Sequence, residues 1–539
     1  MDQHSTGVGR SSARVLLVAA ASVLGALLLA APGVAGAPTV GCENRTNTTY
    51  DKLLGCVTLE GVRAHQAALQ AIADANGGTR AAGTAGYDAS VDYVVETLEA
   101  AGWSVSKNFF NFTVPQPVQQ LTPAPPVTHA VGGVTGSALG TVTNTVTPID
   151  INLVPPRATT SGCDGAFTEA AVGAPLVADP GGPNDFAGFV AGRIALIQRG
   201  GCSFALKVAN AQTAGAAAVI LFNQCNTPDR CVTLSNVTAA PPTGSAFTTI
   251  NVPVVGVSFA AGELLARAGS TATVAVINDP QANVIAELAG RTDDNVVMAG
   301  AHLDSVPAGP GINDDGSGTA ALLEIAQQIA KVKPENTLRF AWWGGEEAGL
   351  VGSTAYVNSL SATERDRIAL YTNYDMIGSP NYIQMVYDAD QSSFPAPAGV
   401  PIPAGSAAIE DVYESYYTMI GEPYDDTQFS GRSDYQAFIV NGIPAGGLFT
   451  GAEGIKTAEQ QAIWGGTTGA QFDPCYHQAC DTFANNNDHA LDVNSDLTAF
   501  ATLTFAFSTE AVNGVPGRAV PGTTFALPTP AGPEGTFVP

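Results

Sequence analysis

Residues 295–305, NVVMAGAHLDS, read as an apolar strand ending in polar residues, and the segments that follow settle the fold class. GTAALLEIAQQIAKV (318–332) places its apolar residues at helical spacing. TLRFAWWGGEE (337–347) is a second apolar strand, ending in two carboxylates. ALYTNYDMIG (369–378) and GIPAGGLFTG (442–451) repeat the theme. Strands alternating with helices predict an α/β fold with a largely parallel sheet. Ligands of such sheets collect at the C-terminal ends of the strands, which is where the polar residues stand.

Working outward, VRAHQAALQAIADANGG (62–78) and SVDYVVETLEAAGW (90–103) read as helices stopped by Gly77-Gly78 and by Gly102. NFFNFTV (108–114) reads as a strand. From about Pro115 the composition shifts to Pro, Gly, Val and Thr. Residues 115–285 are expected to be an inserted domain with its own strand–helix–strand units, such as residues 193–223. It separates 38–114 from 286–511, the two parts of the main domain. The tail, 512–539, has many prolines and glycines and no periodicity, so it is expected to be a flexible extension.

The chain has 539 residues, 45% of them apolar and 13% charged, which is globular composition. Its net charge of −26 argues against nucleic acid, whose phosphates it would repel. Arg10 and Arg14 precede an uncharged run, 15–31, and then Ala35-Gly36-Ala37. That is the layout of a signal peptide over 1–37, so the mature chain is expected to be secreted and free of the membrane. An uncleaved anchor is the competing reading, disfavoured by the short run and the cleavage pattern. Eight cysteines suit an oxidising compartment, and their spacing suggests the pairs 42–56, 163–202, 225–231 and 475–480. Asn44, Asn47, Asn111 and Asn236 begin glycosylation sequons.

Four stretches carry chemistry. In AHLDS (301–305), His302 offers an imidazole nitrogen to a metal, and Asp304 is placed to orient the ring through its other nitrogen. GPGINDDGSG (309–318) sets Asp314 and Asp315 in a tight turn, where they either cap the next helix or share a cation. WWGGEEAG (342–349) carries Glu346 and Glu347, either solvated charge or one metal ligand beside one free base. DPCYHQACD (473–481) holds His477 inside a short Cys475–Cys480 loop, and those cysteines fit a disulfide better than a metal site. Asp375 ends another apolar strand and needs a partner there. Two histidines and three carboxylates suit Zn²⁺, and five ligands fit two ions if one carboxylate bridges.

Taken in this order, the stretches resemble secreted bacterial leucyl aminopeptidases, the co-catalytic di-zinc metallopeptidases. The resemblance covers about residues 60–112 and 286–511, with GRSDYQAF (431–438) and GGLFTGAE (446–453) as further motifs. It implies a mostly parallel mixed central sheet flanked by helices. Residues 125–285 resemble the protease-associated domain often inserted in that family. The resemblance implies one zinc on His302, Asp375 and Asp314, and a second on Glu347, His477 and the same Asp314. It makes Glu346 the general base and acid, and Tyr476 the stabiliser of the oxyanion. Arg432 and Phe449 match substrate positions, and the Asp314–Asp315 peptide is expected to be cis. Asp492 and Asp496 match two ligands of a calcium site found in some members, although Cys56 stands where a third, an aspartate, is expected. The implied substrates are peptides or proteins with a free N-terminus, preferably beginning with a large apolar residue such as Leu, and the enzyme is expected to be a monomer. A non-catalytic receptor on this fold would have lost ligands that are all present here. A mono-zinc cyclase or a carboxypeptidase fits the Tyr-His loop less well.

Overall fold

A computed structural model describes residues 41–537 apart from Asn236 and Ala398. The expected signal segment and the Asn236 sequon lie outside the described residues. Among the described residues, no helix is long and apolar enough to cross a membrane.

Nine strands form the main sheet, in the order Ser104–Phe110, Gln281–Leu288, Asn336–Trp343, Thr292–His302, Ile368–Tyr374, Ala445–Phe449, Met385–Tyr387, Asp425–Thr427 and Thr536–Phe537. The four central strands, Asn336–Trp343 to Ala445–Phe449, run parallel. Antiparallel partners flank them on both sides. The central strands are buried on both faces, which explains their unbroken apolar runs. Side chains alternate between two cores. Val297, Ala299, Ala301 and Trp342 face the helices Leu59–Ala75, Ala85–Ala101, Gly316–Ile329 and Asp488–Phe507. Val296, Met298 and Trp343 face the other side, with Tyr371 and Phe438 stacked at 3.8 Å between ring centroids.

Local signals set the helix ends. The Thr58 and Thr84 hydroxyls cap the first two long helices, and Gly102, at φ 93°, closes the second. Helix Gly316–Ile329 meets the end of strand Ile368–Tyr374 so closely that a Cβ on Gly318 would lie 1.7 Å from the Tyr374 carbonyl oxygen. That approach sets the Asp314 turn beside Asp375.

The inserted region carries its own seven-stranded sheet, from Thr113–Thr122 to Thr271–Asn278, and its own apolar clusters. Two expectations about its edges change. The segment 108–114 is not one strand: Ser104–Phe110 belongs to the main sheet and Thr113–Thr122 to the inserted one. The far boundary lies before 285, because Gln281–Leu288 pairs along its length with Ser104–Phe110 and with Asn336–Trp343. The Asp279 amide donates to the Phe112 carbonyl at 2.8 Å and ties the neck of the insert.

Four disulfides join the cysteines in the expected pairs. Asn44 and Asn111 are exposed, whereas Asn47 is buried and its amide donates to the Gln328 carbonyl.

The tail departs from the expected flexible extension. Arg518 pairs with Glu335 and Val520 is buried. The Ala531 and Gly532 amides donate to the Thr418 and Tyr424 hydroxyls, both at 2.9 Å. Thr536 and Phe537 then pair with Asp426 and Thr427 as the edge strand. The contacts use backbone groups and isolated side chains, so they leave no period in the sequence. Deleting residues 515–539 is expected to lower Tm by at least about 3 °C, since a lost kcal/mol moves a domain of this size by roughly 2–4 °C. An unchanged melting curve would show that the tail contributes no stability.

Candidate metal centre

The site lies at the C-terminal ends of the parallel strands. His302 ends its strand, and its Nδ1 lies 3.0 Å from the Asp304 backbone carbonyl. A carbonyl only accepts, so Nδ1 carries the proton and Nε2 keeps its lone pair, free to bind a metal, in the neutral ring. This corrects the expected role of Asp304: its carboxylate is 3.8 Å from Nδ1 and instead accepts the Glu346 amide at 3.1 Å. The His302 Nε2 lies 3.1 Å from Asp314 Oδ1 and 3.5 Å from Asp375 Oδ1.

Asp314 sits in the turn before helix Gly316–Ile329, and the Asp314–Asp315 peptide is cis. Its amide donates to Asp481 at 3.0 Å, which leaves its carboxylate to the two imidazoles. Asp314 Oδ2 lies 3.3 Å from His477 Nε2, and Glu347 Oε2 lies 3.1 Å from the same nitrogen. Two groups of donors result, His302–Asp314–Asp375 and Asp314–Glu347–His477. Within each, one ligand atom per residue lies within 4.8 Å of the others, and Asp314 belongs to both. Glu346 enters neither group; its Oε2 is 4.0 Å from His302 Nε2.

A cleft of about 420 Å³ opens above these residues, lined by Met376, Tyr387, Arg432, Phe449, Glu453 and Tyr476 among others. Arg432 donates to Glu453 at 2.8 Å and to the Tyr476 hydroxyl at 3.2 Å. The Tyr476 ring stacks on His477 at 3.8 Å between centroids, and the Cys475–Cys480 disulfide closes their loop.

Electrostatics favour a cation. Burial opposes charge on His302, yet Asp375 and Glu346 outweigh it and hold its pKa well above the usual histidine value. Burial acts the same way on His477, and Asp314 and Glu347 overcome it, raising the pKa to about 10. Burial and then Asp314 push Glu347 up to about 7. Burial, opposed by His302 and reinforced by Asp375, pushes Glu346 well above the usual carboxylate range. Glu347 Oε1 is buried and accepts no hydrogen bond, and buried Asp314 Oδ2 faces only the His477 ring nitrogen at 3.3 Å. Such atoms are costly unless a cation meets them, and the mixed nitrogen and oxygen donors fit zinc.

Several supporting residues carry no sequence signal of their own. Arg80 is fully buried, and its guanidinium donates to the carbonyls of Leu303, Pro310 and Gly311, which fastens the His302 and Asp314 turns together. Asp481 receives the amides of Asn313 and Asp314. Asp375 accepts from Ser433 at 2.6 Å, Ser433 from Asn373 and Asn373 from Tyr371, a chain that reaches the sheet core. Asp434, inside the GRSDYQAF stretch, is buried near Glu346; burial, with Asp375 and Asp304 adding against His302, raises its pKa to about 7. The expected calcium position, Asp492 with Asp496, gains no third carboxylate among the described residues, and Cys56 is bonded to Cys42 with Arg45 donating to its sulfur at 3.0 Å.

Metal ligation needs neutral imidazoles. His477, with its pKa raised to about 10, favours the protonated form at pH 7 without metal, and the neighbouring carboxylates raise the pKa of His302 in the same direction. Zinc binding is therefore expected to release protons and to tighten as pH rises towards 10. Calorimetry of zinc binding in two buffers of different ionisation enthalpy measures this, and heats independent of buffer would contradict it.

Residues 283–502 match peptidase family M28, and residues 151–265 match the PA domain. An aminopeptidase of Pseudomonas aeruginosa is 44% identical over 458 residues, covering 83% of this chain and 80% of that protein. Leucine aminopeptidase 2 of Trichophyton rubrum is 35% identical over 496 residues, covering 90% and 91%. The fold is shared with BSAP, a zinc aminopeptidase from Bacillus subtilis, at a TM-score of 0.57 and 23% identity over 82% of this chain and 94% of that one. With this fold, this pair of donor groups and these relatives, the chain belongs to peptidase family M28, as a metallo-aminopeptidase with an inserted PA domain.

Proposed function

We propose that the enzyme binds two Zn²⁺ ions, one on His302, Asp314 and Asp375 and one on Asp314, Glu347 and His477, and removes N-terminal residues from peptides and proteins. The observation that carries this reading is the pair of three-residue donor groups sharing Asp314. Bound zinc would lower the pKa of water and polarise the scissile carbonyl.

The remaining chemistry belongs to the chain. Glu346 takes a proton from the attacking water and returns it to the leaving amine; its raised pKa and its place outside both donor groups suit that shuttle. Burial and the nearby Asp314 and Glu347 hold Tyr476 neutral, so its hydroxyl, which accepts from Arg432, can donate to the developing oxyanion. Asp304 acts through the Glu346 amide. The carboxylates lining the cleft attract a free ammonium and disfavour a substrate carboxylate, which supports exopeptidase action at the N-terminus. Phe449, with Met376 and Tyr387, offers an apolar wall for a large side chain such as Leu, and the name of the Trichophyton rubrum relative, leucine aminopeptidase 2, points the same way. Four disulfides support secretion, and the proposed enzyme is a monomer acting on peptides or proteins with a free N-terminus.

Glu346→Ala is expected to lower kcat by roughly 10²–10⁴-fold, while metal analysis still finds both zinc ions. Normal turnover in that variant would remove Glu346 from the mechanism. Leucyl-p-nitroanilide should be cleaved and its N-acetyl derivative left intact. Cleavage of the blocked substrate would refute the requirement for a free N-terminus.

A further inference from the structure

Away from the catalytic centre, helix Ser406–Ile420 brings Glu410 and Glu414, one turn apart, against Asp426 of strand Asp425–Thr427. One carboxylate oxygen from each lies within 4.8 Å of the others. Glu410 forms a second such group with Asp388 and Asp390. That loop reads Asp388-x-Asp390-x-Ser392, with oxygen donors on alternate residues, the spacing at which calcium loops begin. Asp388, Glu410 and Asp426 are 2%, 3% and 0% exposed. Asp426 Oδ2 accepts the Ser392 and Ser393 hydroxyls, whereas its Oδ1 is buried and accepts nothing. The charged groups acting most strongly on Glu410, Glu414 and Asp426 are other carboxylates.

Glu410 Oε2 accepts the Ala389 and Asp390 amides at 3.0 and 2.8 Å, but buried acids whose strongest charged neighbours are other acids are costly unless a cation or shared protons offset their charge. We propose that Glu410, Glu414 and Asp426 bind a calcium ion, with Asp390 completing its rim. The donors are all oxygen, without the imidazole or thiolate that would select zinc. Asp390 is exposed and Glu414 half-buried, so the ion has a route in. The site would also fasten part of the catalytic cleft. Tyr387 precedes Asp388 and Thr427 follows Asp426, and both line the cleft. The tail strand pairs with Asp426 and Thr427 from the other side.

The test uses zinc-loaded full-length enzyme freed of calcium, titrated with CaCl₂ by calorimetry and by thermal unfolding. A single binding event is expected with Kd of roughly 10⁻⁵–10⁻³ M and a rise in Tm of about 5 °C at saturation. Glu410→Gln and Asp426→Asn should abolish both signals. Asp390→Asn, a change at an exposed position that leaves the buried cluster intact, should weaken binding at least about tenfold. Asp492→Asn should leave binding unchanged. Absence of binding between pH 6 and 8 would assign the cluster to shared protons and overturn the proposal. So would binding that survives in Glu410→Gln and Asp390→Asn, or that is lost in Asp492→Asn.

Discussion

Charge of one sign, gathered where the sheet is driest, is the constraint on which the structure turns. Asp314, Asp375, Glu346, Glu347, Asp304 and Asp434 converge within a buried region, with two imidazoles among them and the Arg80 guanidinium acting on Asp304 and Asp314. Two features make this tolerable. The parallel strands end together, which brings His302 and Asp375 beside Asp314, and Glu347 beside His477. The turns that present them are also held by hydrogen bonds: Arg80 donates to three carbonyls, Ser433 donates to Asp375, and Asp481 accepts two amides. The scaffold therefore bears the repulsion in rigid geometry, and a zinc pair would meet it directly.

The division of labour between adjacent glutamates follows from the same geometry. Glu346 and Glu347 are neighbours in sequence yet face different surroundings. Glu347 reaches Asp314 and His477, while Glu346 is directed towards His302, Asp375 and Asp434. One is drawn into a donor group and the other is left as an acid–base group with a raised pKa. A turn at the end of a single strand thus supplies both ligand and base.

Much of this was legible beforehand, for a physical reason. In an α/β sheet, functional residues fall in short segments after apolar strands, so His302, Asp314, Glu346, Glu347, Asp375 and His477 are legible as a set, although none is decisive alone. What depends on the approach of distant segments does not. Arg80 looks like an ordinary arginine after a glycine turn until the 303–311 segment is folded over it. The strand Gln281–Leu288 shares the β-branched composition of the insert, and only its pairing assigns it to the main sheet. Asp304 was expected at the imidazole through its carboxylate, but the backbone carbonyl two residues from His302 is closer. The acidic cluster around Glu410 draws on three separate segments and has no motif beyond the Asp388 loop.

The split of the main domain around its insert also has a consequence for how the enzyme is made. Arg80 precedes the insert, whereas the carbonyls it holds lie more than 220 residues later. His477 arrives later still, and the last strand of the sheet is Thr536–Phe537. During synthesis the inserted sheet can close on its own core before any of these meet. The second donor group cannot form until the chain has been made through His477, long after the insert.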